Sequence, residues 1–281
     1  MKTLGYYNGR IGELDEMMIP MNDRVCYFGD GVYEAAVARN YKIFALEDHL
    51  DRFYNSASLL SIEIPCTREE LASILDEMVH KMDYDEQFVY WQVTRGTAPR
   101  THEFPAGDVK ANLWITIKPS KPVHLETPLK LITIPDTRFF HCNIKTLNLL
   151  PNVMAAEQAK RAGCQECVFH RGDRVTECAH SNVSILKDGT FRTAPTDELI
   201  LPGITRKHLI QICKDHNIPV SEEPFTIQEL MEADEILVSS TTKFCSSVSE
   251  VDGIAVGGKA PELMKLLQDC YVQKYLSETK A

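Results

Sequence analysis

Lys145 lies in Cys142-Asn143-Ile144-Lys145-Thr146-Leu147-Asn148, with the apolar Ile144 and Leu147 on either side. A lysine held partly out of water keeps its proton less tightly, and the neutral amine can attack an aldehyde to form an imine. On the segment alone, the commoner reading is a solvated lysine on a loop. Glu177, in Arg174-Val175-Thr176-Glu177, follows a short strand and precedes the polar run Ala179-His180-Ser181-Asn182. A carboxylate beside a pyridine-type nitrogen keeps that nitrogen protonated, so the ring can accept electrons. By itself the same glutamate is a polar turn residue.

Leu201-Pro202-Gly203-Ile204-Thr205-Arg206 sets a proline and a glycine just before an apolar-periodic helix. Backbone N–H groups at a helix start, with the Thr205 hydroxyl beside them, suit a phosphate. Ser239-Ser240-Thr241-Thr242 closes a strand with four hydroxyls in a row, which suit the same anion. Arg52 offers a permanent positive charge. Ordinary loop, strand-end and surface roles account for each of these features taken singly. The run 94–102, with Arg95, Arg100 and His102 and no acid among them, reads as a carboxylate-binding surface or as a solvated basic loop.

The elements that position these residues are legible from periodicity. A strand over 4–7 stops at Asn8-Gly9, and 32–39 with 41–44 flank Asn40 as a tight hairpin. Leu46, Leu50, Phe53, Ala57 and Leu60 recur on one helical face, and Leu71, Ile74, Leu75, Met78 and Met82 repeat the pattern. Strands over 88–94 and 113–117 complete a small sheet with a polar loop between them. Lys118-Pro119-Ser120-Lys121-Pro122 marks a boundary. Beyond it come a strand over 129–134, a helix over 152–162, and short strands around Val168, Val183 and Phe191, with Asp188-Gly189 as a hairpin turn. Helices over 204–216 and 261–275 follow, with a strand over 235–239 between them. The domains expected are 1–118, a linker at 119–122, and 123–281. Two α+β domains with a small-molecule cleft between them is the architecture expected.

The chain has 281 residues, 44% of them hydrophobic, enough for one large core or two smaller ones. Thirty basic against forty acidic residues give a net charge of -10, which disfavours nucleic acid and anionic membranes as partners. Nine cysteines spread from Cys26 to Cys270 do not suggest a disulfide framework, and a reducing cytoplasm fits them best. Cys164-Gln165-Glu166-Cys167 lacks a second metal-ligand pair nearby, so no metal is expected. The first fifteen residues carry no apolar run of the kind a signal peptide or spanning helix needs.

Taken in order, Phe28-Gly29-Asp30-Gly31-Val32-Tyr33-Glu34, Arg95-Gly96-Thr97-x-Pro99-Arg100-x-His102, Ile144-Lys145-Thr146-Leu147-Asn148, Val175-Thr176-Glu177, Gly203-Ile204-Thr205-Arg206 and Ser240-Thr241-Thr242 resemble the class IV pyridoxal-phosphate-dependent aminotransferases. The resemblance is to the D-amino-acid aminotransferases and runs nearly end to end. It implies fold type IV, a small N-terminal α/β domain and a larger β-barrel-like domain with flanking helices. It implies pyridoxal 5'-phosphate, with Lys145 as the Schiff-base lysine and proton shuttle and Glu177 on the pyridine nitrogen. Arg52, Ile204, Thr205 and Thr241 would hold the phosphate, with Ser240 nearby and Leu201 under the ring. Tyr33, Arg100 and His102 would take the substrate α-carboxylate, the last two from the partner subunit of a homodimer. D-alanine, D-glutamate and 2-oxoglutarate are the substrates it implies.

Two stretches depart from that pattern. Cys178-Ala179-His180 stands where the resembling enzymes carry small serines, and Lys243-Phe244 replaces smaller or acidic residues. The scaffold also admits a branched-chain L-aminotransferase, which has no obvious use for Arg100 and His102. An aminodeoxychorismate lyase, or an inactive binding paralogue, would share it too; retention of Lys145 and Glu177 speaks against the last.

Overall fold

The computed structural model describes residues 3–121 and 125–281. Pro122, at the end of the expected linker, lies outside the described residues. The described chain forms two compact units: residues up to 121 with 144–148 and 276–281, and residues 125–143 with 149–275.

In the first unit the strands are β1 (Leu4–Tyr7), β2 (Arg10–Gly12), β3 (Gly31–Arg39), β4 (Lys42–Ile43), β5 (Glu86–Thr94) and β6 (Asn112–Pro119), and the helices are α1 (Arg24–Phe28), α2 (Leu46–Leu59) and α3 (Arg68–His80). The strands form an antiparallel sheet in the order β2-β1-β6-β5-β3-β4. Asn40 and Tyr41 turn β3 into β4 at φ of 51° and 61°, the left-handed pair that a two-residue hairpin of this twist requires. Strand alternation sends Val32, Ala36, Val89, Trp91, Val93 and Ile115 to one face, where Leu50, Phe53 and Ala57 of α2 and Leu71, Leu75 and Met78 of α3 cover them. Tyr33 pairs with Gln92 in the register and so lies on the opposite face from its neighbour Glu34.

The second unit holds β7 (Leu129–Pro135), α4 (Leu150–Arg161), β8 (Glu166–Arg171), β9 (Arg174–Cys178), β10 (Asn182–Lys187), β11 (Thr190–Thr193), α5 (Ile204–Asp215), β12 (Val220–Ser221), α6 (Ile227–Met231), β13 (Glu235–Ser240), β14 (Phe244–Val251) and β15 (Ile254–Ala255), together with most of α7 (Pro261–Glu278). Its strands run in the order β12-β11-β10-β13-β14-β7-β8-β9, with β15 on β14. Laid flat, β9 and β10 would stand about 24 Å apart at the usual strand spacing. The link between Cys178 and Asn182 spans at most about 15 Å. The sheet must therefore curl on itself, and this brings Glu177 near the start of β10.

One expectation is corrected here, and several elements were not read from the sequence. Glu177 lies within β9 rather than after a strand, because 174–178 pairs with β8. Strand β14 was not expected, since Ser246, Ser247, Ser249 and Glu250 break its apolar pattern, although it pairs along most of β13. The five-residue helices α1 and α6 are too short to show a period. All nine cysteines are free. No helix among the described residues is long and apolar enough to cross a membrane.

Candidate active site

Lys145 is held beside β3 of the first unit. Its carbonyl accepts from Tyr33 N at 3.0 Å, its N–H donates to Ser56 Oγ at 3.2 Å, and Thr146 bridges Val32. With its backbone fixed on both sides, its side chain reaches over the Tyr33 ring, with Nζ 4.1 Å from the ring centre. Tyr33 stacks in turn on Tyr90 at 5.5 Å. On the other face of β3, Glu34 is fully buried beneath α2, where Arg52 Nε lies 2.6 Å and His49 Nδ1 2.7 Å from its carboxylate. Burial opposes its charge, but Arg52 and His49 outweigh burial and hold the carboxyl well below its usual range. Arg52, expected on a phosphate, thus spends two of its five N–H donors on Glu34. Arg100 and His102 both lie against Phe28, with the guanidinium 5.2 Å and the imidazole 5.4 Å from the phenyl centre.

In the second unit Glu177 is buried in β9, and residues from three other segments hold its carboxylate. Arg138 donates to Oε1. Asn182 Nδ2 and Leu201 N both donate to Oε2 at 3.0 Å. The second N–H of Asn182 donates to the Leu201 carbonyl at 3.0 Å, so this one amide ties β10 to the loop before α5. Gly203 packs so close that a Cβ there would meet Asn182 Oδ1 at 1.9 Å, which reserves the position for glycine. Arg138 is held by Asp136, which Thr176 and Arg171 also reach. A carboxylate accepts about four hydrogen bonds. Oε2 has its two, while Oε1 has one, so Glu177 has room for one further donor. A protonated pyridine nitrogen is such a donor.

The remaining expected residues gather in the same unit. Gly203 caps α5 with no side-chain hydrogen bond to the first turn, so the amides of Ile204 and Thr205 have no partner within the helix. Thr205 Oγ1 shares a hydrogen bond with Tyr271 at 2.9 Å. Ser239 pairs with Asn182 across β10 and β13, which sets Ser240 and Thr241 just beyond the amide that holds Glu177. A donor-rich helix start and a hydroxyl-rich strand end fit a phosphate monoester, as Glu177 fits a pyridinium. These residues therefore match pyridoxal phosphate. Arg138 and Asn182, which brace Glu177, and Asp136, which braces Arg138, were not singled out in the sequence. The signal for Asp136 and Arg138 was an acid and an arginine two residues apart directly after an apolar strand.

Burial pushes the Glu177 carboxyl up to about 7, against the pull of Arg138 and of Leu201 N. A carboxyl raised in the folded chain binds a proton that the unfolded chain has already released, so its contribution is complete below the ordinary value of 4.5 and is lost as pH rises through about 7. In cofactor-free protein, the stability difference between the unaltered chain and Glu177→Gln should therefore shift by roughly 1 kcal/mol per pH unit across this window. Urea unfolding at stepped pH measures it. A flat difference would show that Arg138 keeps the carboxylate ionised throughout.

The model of the amino-transferase class IV family matches residues 31–251. The chain is 39% identical to a D-alanine aminotransferase of Staphylococcus haemolyticus over 98% of each chain. It is 39% identical to one of Listeria innocua over 98% of this chain and 96% of that one. Among solved structures it superposes on the branched-chain amino acid aminotransferase of Escherichia coli with a TM-score of 0.88 at 22% identity, covering 100% of this chain and 96% of that one. It also superposes on the branched-chain aminotransferase of Thermoproteus uzoniensis with a TM-score of 0.86 at 24% identity, covering 98% and 97%. The fold is that of these fold type IV enzymes, and the chain belongs to the class IV aminotransferases.

Proposed function

We propose that the chain transfers an amino group between a D-amino acid of the D-alanine or D-glutamate type and a 2-oxo acid such as 2-oxoglutarate or pyruvate, using pyridoxal 5'-phosphate carried on Lys145. The observation that carries the cofactor reading is the single acceptor site left on Glu177, buried and braced by Arg138, Asn182 and Leu201 N. The similarity to D-alanine aminotransferases along nearly the whole chain supports the D-amino acid. Likeness to the branched-chain enzymes at 22–24% identity speaks for the fold.

Bound pyridoxal phosphate supplies an aldehyde for the amino group and a ring that draws electrons from the α-carbon. Lys145 carries the cofactor at rest, and its amine, once released, moves the α-proton. Glu177 would hold the proton of the ring nitrogen, and Leu201 would pack against the ring. The N–H groups of Ile204 and Thr205, the hydroxyls of Thr205, Ser240 and Thr241, and Arg52 hold the phosphate. Tyr33, Arg100 and His102 bind the α-carboxylate, the arginine by two parallel hydrogen bonds. The face on which Lys145 stands and the pocket that takes the carboxylate together select the enantiomer. Exchanging the carboxylate and side-chain pockets would invert it.

We further propose a homodimer in which Arg100 and His102 serve the neighbour's site. Leu150, Val153 and Met154 recur along one side of α4 at 70%, 61% and 60% exposure, an apolar stripe that a second subunit would cover. A reducing cytoplasm suits the nine free thiols.

Borohydride reduction of the cofactor-loaded enzyme followed by peptide mapping should put the pyridoxyl group on Lys145. Its recovery on another lysine would overturn the assignment. Lys145→Ala and Arg100→Ala subunits should each be nearly inactive, yet regain activity on mixing, because some hybrid dimers contain one intact site. Subunit exchange without regained activity would rule out the shared site.

A further inference from the structure

Glu166, at the start of β8, is a buried carboxylate that the proposed chemistry does not use. It accepts from Cys167 N at 3.0 Å, from Ala179 N at 3.2 Å and from Ser181 Oγ at 3.2 Å. His180 Nδ1 lies 3.0 Å from Oε2. Lys243 donates to the carbonyl of Gln165, the residue before Glu166, at 3.1 Å. Burial alone would raise the carboxyl, but the hydrogen bond and charge of His180, followed by the charge of Lys243, hold it below its usual range. His180 and Lys243 are the two basic residues of the stretches where the chain departs from the pattern it resembles; His180 contacts the Glu166 carboxylate, and Lys243 holds the carbonyl of the residue before Glu166.

The two basic residues sit on loops that matter. His180 belongs to the 179–181 link between Glu177 and Asn182, the residues proposed to hold the ring end. Lys243 ends the 241–243 turn after Ser240, and the Lys243 N–H donates to Ser240 Oγ at 3.1 Å. We propose that Glu166, His180 and Lys243 form a charge clamp that positions the ring-binding and phosphate-binding loops relative to each other, and so sets how tightly pyridoxal phosphate is held. None of the three touches the cofactor in this account; they are positioning residues. The proposal rests on the reading that the chain binds this cofactor. In this chain the link carries an imidazole 3.0 Å from a buried acid, and Lys243 ties the start of the strand that bears that acid to the second loop.

The test is the dissociation constant of pyridoxal phosphate, titrated by absorbance into cofactor-stripped full-length enzyme, beside the melting temperature of the same cofactor-free samples. Glu166→Gln should loosen the cofactor about tenfold, and His180→Ser and Lys243→Met each about threefold. In the Glu166→Gln background the latter two changes should have no further effect, and Lys243→Arg, which keeps the charge, should bind like the unaltered chain. If Glu166→Gln does not fold, the partly exposed His180 and Lys243 positions still decide: affinity within twofold of the unaltered chain in both variants overturns the clamp. A fall in melting temperature with unchanged affinity shows mere structural support and also overturns it. Failure of the unaltered chain to take up pyridoxal phosphate overturns the functional reading and the clamp with it.

Discussion

Burying a carboxylate costs several kcal/mol unless its charge and its lone pairs are met, and the second unit is organised around meeting those of Glu177. Arg138 supplies the charge, and Asp136 with Arg171 keeps that arginine in place. Asn182 and Leu201 N fill one carboxylate oxygen. Each demand constrains the backbone. The sheet must curl so that β10 follows β9 within a short link, and Gly203 must lack a side chain so that the α5 loop can approach Asn182. The start of α5 is thereby placed beside the acid, so one polar network positions both the ring end and the phosphate end of the proposed cofactor site.

The first unit solves a related problem with the sheet itself. Adjacent residues of β3 face opposite ways, so Glu34 is buried among His49 and Arg52 while Tyr33 is turned toward Lys145. Hydrogen bonds from Tyr33 N and to Ser56 Oγ fix the Lys145 backbone as though it were a further strand residue. A lysine carried this way keeps a mobile amine on a rigid base, as a group that must alternate between holding a cofactor and moving a proton requires.

Long periodic elements were readable from the sequence because one face of each is buried: α2 through Leu50, Phe53 and Ala57, and β5 through Val89, Trp91 and Val93. Turn chemistry was readable where a left-handed backbone is required, as at Asn40 and at Asp188-Gly189. Strand β14 was not, because its serines interrupt the apolar alternation, and what makes it a strand is its pairing with β13 and β7, of which periodicity carries no sign. Lys145, Glu177 and the α5 start were legible as an ordered set of motifs, whereas Arg138, Asp136 and Asn182 were not. Their roles depend on which distant segments the curled sheet brings together, and in the chain they look like ordinary polar residues near strand ends. Arg52 shows the converse: its charge was visible in the sequence, but its pairing with Glu34 came only with the packing of α2 on β3.

The central claim, that the chain transfers the amino group of D-amino acids, is tested most directly by single-turnover mixing of the cofactor-loaded enzyme with D-alanine and, separately, with L-alanine, L-leucine and L-valine, following the visible absorption of the bound cofactor. The account predicts rapid loss of that band with D-alanine and specificity constants lower by a factor of ten or more for each L-amino acid, since charge-assisted hydrogen bonds of about 1.5–3 kcal/mol each are lost when the carboxylate points the wrong way. Faster loss with L-leucine or L-valine than with D-alanine would contradict it and make the protein a branched-chain enzyme in substrate as well as in fold.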